Sequence, residues 1–94
     1  MKVIGREKLV IFCKRHADCR IWIRNWIADV ERSLWKTPQD VKQRFPSASF
    51  LADNRVIFNV KGNDYRLEVH ISYPISVVLI KWIGTHAEYT KIYS

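Results

Sequence analysis

The chain predicts an α+β fold, with helices packed on one face of a small, mostly antiparallel sheet. Two changes of period carry that expectation. Between Arg6 and Phe45 the apolar side chains recur at the three- and four-residue steps of a helix. From Val56 onward they alternate every second residue, or run unbroken, as strands do. Helices then lie together in the first half and strands together in the second, an order that gives helices on one side of an antiparallel sheet.

Met1 to Ile4 is a short apolar run ending at Gly5 and reads as an N-terminal strand. Leu9, Phe12, Cys13 and His16 form the apolar face of a first helix. A second helix is expected from about Ala17 to Trp35, with Asp18 as its N-cap and Ile23, Trp26, Ile27, Val30 and Leu34 as its buried stripe. The two make an αα-hairpin. Thr37-Pro38-Gln39-Asp40 opens a short third helix: Thr37 caps it, Pro38 suits the first helical position, and Asp40 favours the positive end of the dipole. Val41 and Phe45 are its buried pair, and Pro46 ends it. Ser47 to Asp53 reads as a loop pinned by Phe50 and Leu51.

Val56, Phe58 and Val60 share one face of the next strand. After a turn at Lys61-Gly62-Asn63-Asp64, Tyr65, Leu67, Val69, Ile71 and Tyr73 alternate with Arg66, Glu68, His70 and Ser72. The apolar set is expected against the helices and the polar set, Arg66 included, on the opposite face. Pro74 helps turn the chain into Ile75 to Ile83, apolar on both faces except at Ser76 and Lys81, which predicts a central strand. A short tail then carries His86, Tyr89 and Lys91.

Ninety-four residues make one domain, 1–94, with 48% hydrophobic and 27% charged residues, a globular rather than a disordered composition. A net charge of +7 points to a polyanionic partner (RNA, DNA or an acidic protein) over a soluble protein that merely happens to be basic, since basic charge steers polyanions at long range. Cys13 and Cys19 lack the C-x-x-C spacing of redox or zinc sites and are expected as two free thiols in a reducing cytosol. With His16 between them they offer three ligands without a fourth, a weak case for zinc. No run approaches the roughly 20 apolar residues of a membrane span, and no cleavage site follows the first apolar patch, so a cytoplasmic protein without a signal peptide is expected. Neither a phosphate-cradling glycine loop nor a Ser/His/Asp array stands in the sequence.

Two stretches, NRVIFNVKGNDYRLEV (Asn54 to Val69) and IGTHAEYTKI (Ile83 to Ile92), resemble the HigB branch of the RelE/ParE-like toxins of bacterial toxin–antitoxin systems. WKTPQDVKQRFPSASFL (Trp35 to Leu51) adds weaker support, so the likeness covers nearly the whole chain. The tail motif of that family more often reads THAEYDK; here Thr90 stands in the acidic position. The resemblance implies a RelE-like fold and a toxin that cleaves mRNA without a cofactor, in the better-known members during translation on the ribosome. It also implies a HigA-like helix-turn-helix antitoxin that neutralises the toxin and through which alone the pair meets operator DNA.

Cutting RNA without a metal requires a proton to leave the 2′-hydroxyl, charge on the phosphorane to be stabilised, and a proton to reach the departing 5′-oxygen. Arg66 is the first candidate for the phosphate, because a guanidinium fork on a rigid strand suits its oxygens. Histidine titrates near neutral pH, which nominates His86 as base or acid; a structural histidine joining tail to sheet is the alternative. Tyr89, three residues on, could move a proton or stack on a base, as RelE-like enzymes commonly use a tyrosine from this region. Lys61, Asn63, Lys81 and Lys91 are the RNA-binding candidates, Lys81 the poorest of the lysines; any one lysine is more often a solvated charge, and a turn-forming role is the safer reading of Asn63. His70 and Glu68 share the face of Arg66. Two other functions stay open: a non-catalytic ParE-like gyrase poison, and a basic RNA-binding module.

Overall fold

A computed structural model describes residues 1–93 of the chain. Strand β1 (Lys2–Ile4) leads into helix α1 (Arg6–Arg15), a 3₁₀ turn at Ala17–Cys19, and helices α2 (Arg20–Arg32) and α3 (Pro38–Arg44). Strands β2 (Ser49–Leu51), β3 (Arg55–Val60), β4 (Tyr65–Ser72) and β5 (Val77–Thr85) follow, and helix α4 (His86–Tyr93) closes the chain. The five strands form one sheet in the order β1-β5-β4-β3-β2. Among the described residues only the β1–β5 pair is parallel. This is the α+β fold that the two periods predict, with β5 in an interior position.

Gly5 makes the turn from β1 into α1 with φ +95°, a left-handed conformation that a side chain would strain. Its missing Cβ also lets the turn lie against Ile80, 3.2 Å from where that atom would stand. The helical layer then covers the face of the sheet made by Val56, Phe58, Val60, Leu67, Val69 and Ile71, all nearly inaccessible to water. Aromatic edges lock the layers together. Phe58 meets Trp26 at 5.3 Å and Phe45 at 5.1 Å, both T-shaped. Such rings contribute about 0.5–1.5 kcal/mol beyond the area they bury.

The capping box at Thr37 is present as expected: the Asp40 backbone N–H donates to the Thr37 hydroxyl at 3.3 Å, and the Asp40 carboxylate accepts from the Thr37 N–H at 3.2 Å. Elsewhere the structure corrects the reading. Asp18 is not the N-cap of α2, whose cap position is Cys19 and makes no side-chain bond. Stronger partners take it: the Tyr65 hydroxyl donates to its carboxylate at 2.5 Å and the Lys61 ammonium at 2.9 Å. Those two bonds, Tyr65 first, hold the Asp18 carboxyl below its usual range, and the same bond pushes the Tyr65 phenol up to about 12. Leu34 is 77% exposed rather than buried, because α2 stops at Arg32 and Ser33 is extended. The stretch read as a loop contains β2, paired antiparallel with β3 through Phe50 and Val56. The tail is a helix.

Cys13 and Cys19 are free thiols, as expected, and both are buried. Their sulfurs lie 3.6 Å apart. Burial, reinforced by the Cys13 neighbour, pushes the Cys19 thiol up to about 12, so it stays protonated. His16 is packed, stacked on Phe12 at 4.4 Å and edge-on to Tyr65 at 5.3 Å.

Candidate active site

The face of the sheet turned away from the helices is set by the pairing of β4. Arg66 stands opposite Asn59 on one side and Gly84 on the other; Glu68 stands opposite Ile57 and Trp82. Since paired residues share a face, these six belong to one surface. A bulge in the β4–β5 ladder between Glu68 and Val69 shifts the register there. It leaves Lys81 between the paired residues Ile80 and Trp82, and the Lys81 side chain is exposed.

Helix α4 begins at the end of this surface. Its start carries a reciprocal capping box that the sequence reading passed over: the Glu88 N–H donates to the Thr85 hydroxyl at 3.1 Å, and the Glu88 carboxylate accepts from the Thr85 N–H at 2.8 Å. Thr85, through its backbone N–H first, holds the Glu88 carboxyl below the usual carboxylate range. The His86 N–H donates to the Asp64 carbonyl at 3.1 Å and ties the helix to the β3–β4 turn. These bonds fix the direction of α4 and lay Tyr89 back over the sheet.

Arg66 and Tyr89 meet there. The guanidinium carbon of Arg66 lies 5.7 Å from the Tyr89 ring centre, within cation–π range. One nitrogen of the guanidinium, Nη1, donates to the Asn63 and Tyr65 carbonyls at 3.2 and 3.1 Å. Among the described residues no hydrogen bond engages Nη2 or Nε. The third wall is the Trp82 indole, 6.5 Å from the Tyr89 ring and tilted by 44°. Gly84 makes room for it: a Cβ on Gly84 would overlap two indole carbons and come within 3.1 Å of the Glu88 carboxylate. Gly84 was not among the sequence candidates; Trp82 reads from the sequence as able either to pack or to stack on a base. The glycine opposite Arg66 in the sheet, two residues past a tryptophan, was the available signal.

His86 is exposed at the first position of α4, one turn before Tyr89; among the described residues no hydrogen bond or ion pair engages its imidazole. Residues three apart on a helix are surface neighbours, about 5–6 Å between Cβ atoms. Asn63 belongs to the site through its backbone carbonyl on Arg66. Lys61 is turned toward the helical layer by its ion pair with Asp18. Lys81 lines a shallow cleft of about 360 Å³ beside α1, with Lys8, Arg15 and His16. Lys91 is exposed on α4. His70 is half-buried on the same sheet face, and Glu68 lies 3.9 Å from Arg55 with only 8% of its surface exposed. Among the described residues no group of three or more His, Cys, Asp or Glu could hold a metal ion. No described helix is long and apolar enough to cross a membrane.

No curated protein matches the chain. A family model does: the one described as HigB toxin, the RelE-like toxic component of a toxin–antitoxin system, matches residues 19–92. That span runs from the end of the 3₁₀ turn into the last turn of α4 and includes every residue of the Arg66–Tyr89–Trp82 cluster. A basic α+β domain whose C-terminal helix folds a tyrosine onto a sheet arginine thus belongs to the HigB toxin family, the RelE-like toxic components of toxin–antitoxin systems.

Proposed function

We propose that the toxic activity is cleavage of mRNA in the cytoplasm, metal-independent and on translating ribosomes. The observation that carries this reading is the juxtaposition of Arg66 and Tyr89 on the open face, one helical turn from an exposed imidazole. The scissile phosphate sits against Nη2 and Nε of Arg66, which stabilise the charge that grows on its oxygens. The substrate 2′-oxygen attacks phosphorus and the bond to the 5′-oxygen breaks. The products are a 2′,3′-cyclic phosphate and a 5′-hydroxyl. The proton lost by the 2′-hydroxyl goes to the His86 imidazole, the side chain suited to accept one near neutral pH. The Tyr89 hydroxyl is a donor and supplies the proton that the 5′-oxygen needs. Trp82 offers a stacking surface for a neighbouring base. Asn63, Lys81 and Lys91 contact the RNA around this point; Lys61 joins them only by leaving Asp18. A HigA-like antitoxin is the partner that restrains the enzyme.

Brief induction in cells followed by mapping of new 5′ ends tests this. Cuts inside translated frames, lost in His86→Ala and Arg66→Ala, are expected. Growth arrest with intact mRNA and an SOS response would overturn the proposal in favour of a gyrase poison. Intact mRNA with neither effect would leave a passive RNA-binding domain.

A further inference from the structure

We propose that Asp18 is a positioning residue of the Arg66–Tyr89 site, its carboxylate clamping both ends of the β3–β4 turn so that the turn holds Arg66 and α4 in place. The inference deepens the nuclease reading and rests on it; the clamp itself is measurable without RNA.

Asp18 lies in the 3₁₀ turn between α1 and α2, and neither that turn nor α2 takes a side-chain cap from it. Its two oxygens reach different residues. Oδ2 accepts from the Lys61 ammonium at 2.9 Å and Oδ1 from the Tyr65 hydroxyl at 2.5 Å. Lys61 follows the last residue of β3 and Tyr65 is the first of β4, so one carboxylate grips the turn at both ends. The grip has strain to oppose. Lys61 has φ +50°, in the left-handed region that disfavours a side chain. The Tyr65 ring is already set edge-on to Phe12 and His16, each at 5.3 Å. Its hydroxyl then meets Asp18 at the short length of a charge-assisted bond.

From Asn63 to Tyr65 the anchored turn presents its carbonyls to the site. Those of Asn63 and Tyr65 accept from Arg66 Nη1 at 3.2 and 3.1 Å. That of Asp64 accepts from the His86 N–H at 3.1 Å, at the start of α4. Tyr65 also pairs in the ladder with Thr85, whose hydroxyl caps α4. A shift of the turn therefore moves the guanidinium and the helix bearing His86 and Tyr89 together. A staple that only adds stability is the lesser role: Asp18 and Lys61 are both largely exposed, and an exposed ion pair contributes little to stability.

The test compares Asp18→Ala and Tyr65→Phe with a control, Asp29→Ala, whose ion pairs with Arg32 and Arg44 stay among the helices. Unfolding curves fix a temperature at which all are folded. In single-turnover cleavage of a translated mRNA on ribosomes, Asp18→Ala should slow the maximal rate about 10- to 100-fold, the scale of displacing an aligned group by about 1 Å. The ribosome concentration at half-maximal rate should change less than about twofold, since positioning acts after binding. Tyr65→Phe should lower the rate and add little on top of Asp18→Ala. Asp18→Asn, which keeps an oxygen for Tyr65, should restore part of it. Asp29→Ala should cleave like the unaltered chain. Without RNA, the His86 amide should exchange faster in Asp18→Ala while the β3–β5 amides stay protected. An unchanged rate in Asp18→Ala overturns the proposal, as does a loss matched by Asp29→Ala, a loss confined to half-saturation, or an unchanged His86 amide. If the unaltered chain leaves mRNA intact, the nuclease reading falls and the His86 amide alone decides the clamp: faster exchange upholds it, unchanged exchange overturns it.

Discussion

Single residues decide whether the open face can work as one site. On the proposed reading Arg66 grips a phosphate through its planar fork, so Arg66→Lys keeps the charge but not the two-point grip. Cleavage of a translated mRNA on ribosomes by this variant should fall about 10²-fold, the scale of losing one aligned donor. A fall of less than threefold would mean that charge alone suffices. Gly84 is a sharper probe of geometry. In Gly84→Ala the new methyl group overlaps the Trp82 indole, and such overpacking costs about 1–3 kcal/mol. Trp82→Ala should cancel most of that loss when combined with Gly84→Ala, a coupling that urea unfolding of the four proteins reads directly. Additive losses would show that the two residues do not touch. Asp18 gives a pH signature. Its carboxyl is held low by the Tyr65 hydroxyl and then Lys61, so the folded state favours the carboxylate. That stabilisation is complete above the usual value near 3.8 and disappears as pH falls through the lower folded value. The melting-temperature gap between the unaltered chain and Asp18→Asn should therefore be widest near neutral pH and close in acid. A gap that widens on acidification would refute the assignment.

At the scale of elements, α4 is the piece on which the site depends, and its anchor is the Thr85–Glu88 box. Removing an N-cap hydroxyl costs about 1 kcal/mol of helix stability. Thr85→Ala should fray α4 first, because α4 packs mainly on β4 and β5 at one end of the sheet. Hydrogen exchange of the α4 amides should speed up while the β3–β5 amides stay protected; uniform acceleration would mean that α4 unfolds only with the whole domain. The sequence made some of this architecture plain and hid the rest for identifiable reasons. The alternation from Tyr65 to Ser72 was readable because one face is buried and the other carries Arg66 and His70. Thr37-Pro38-Gln39-Asp40 announced α3 through local chemistry alone. Thr85 and Glu88 have the same spacing and were readable too, but eight residues with little apolar periodicity looked like a tail. Strand β2 is three residues long, and only its pairing with β3 defines it. Asp18 and Leu34 misled because the first finds partners 43 and 47 residues away and the second lies past the end of α2, where the extended Ser33 breaks the helical period. The meeting of Arg66 with Tyr89 belongs to the same class: it needs the angle of α4, which is set by the Asp64 carbonyl as well as by Thr85.

Over the whole molecule, charge and packing divide the surface. The net charge of +7 would attract RNA to any side, yet the cations are unequally available. Lys61 is held by Asp18 at 2.9 Å, whereas Lys81 stands exposed on the bulge with no ion-pair partner among the described residues. Binding a single strand releases counterions, and log K falls against log salt with a slope of about −0.7 for each phosphate neutralised. If Arg66, Lys81 and Lys91 each engage one phosphate, the slope is about −2. Lys81→Ala should make it shallower by about 0.7, and Lys61→Ala should leave it unchanged, since that lysine already has a carboxylate. Fluorescence titrations of a non-cleavable 2′-deoxy-substituted RNA from low to moderate salt separate the cases. An equal loss of slope in both variants would mean that Lys61 abandons Asp18 on binding. The β3–β4 turn would then move with it, carrying the Asn63 and Asp64 carbonyls that hold Arg66 and α4 in place. In that event the site is assembled by its substrate rather than waiting for it.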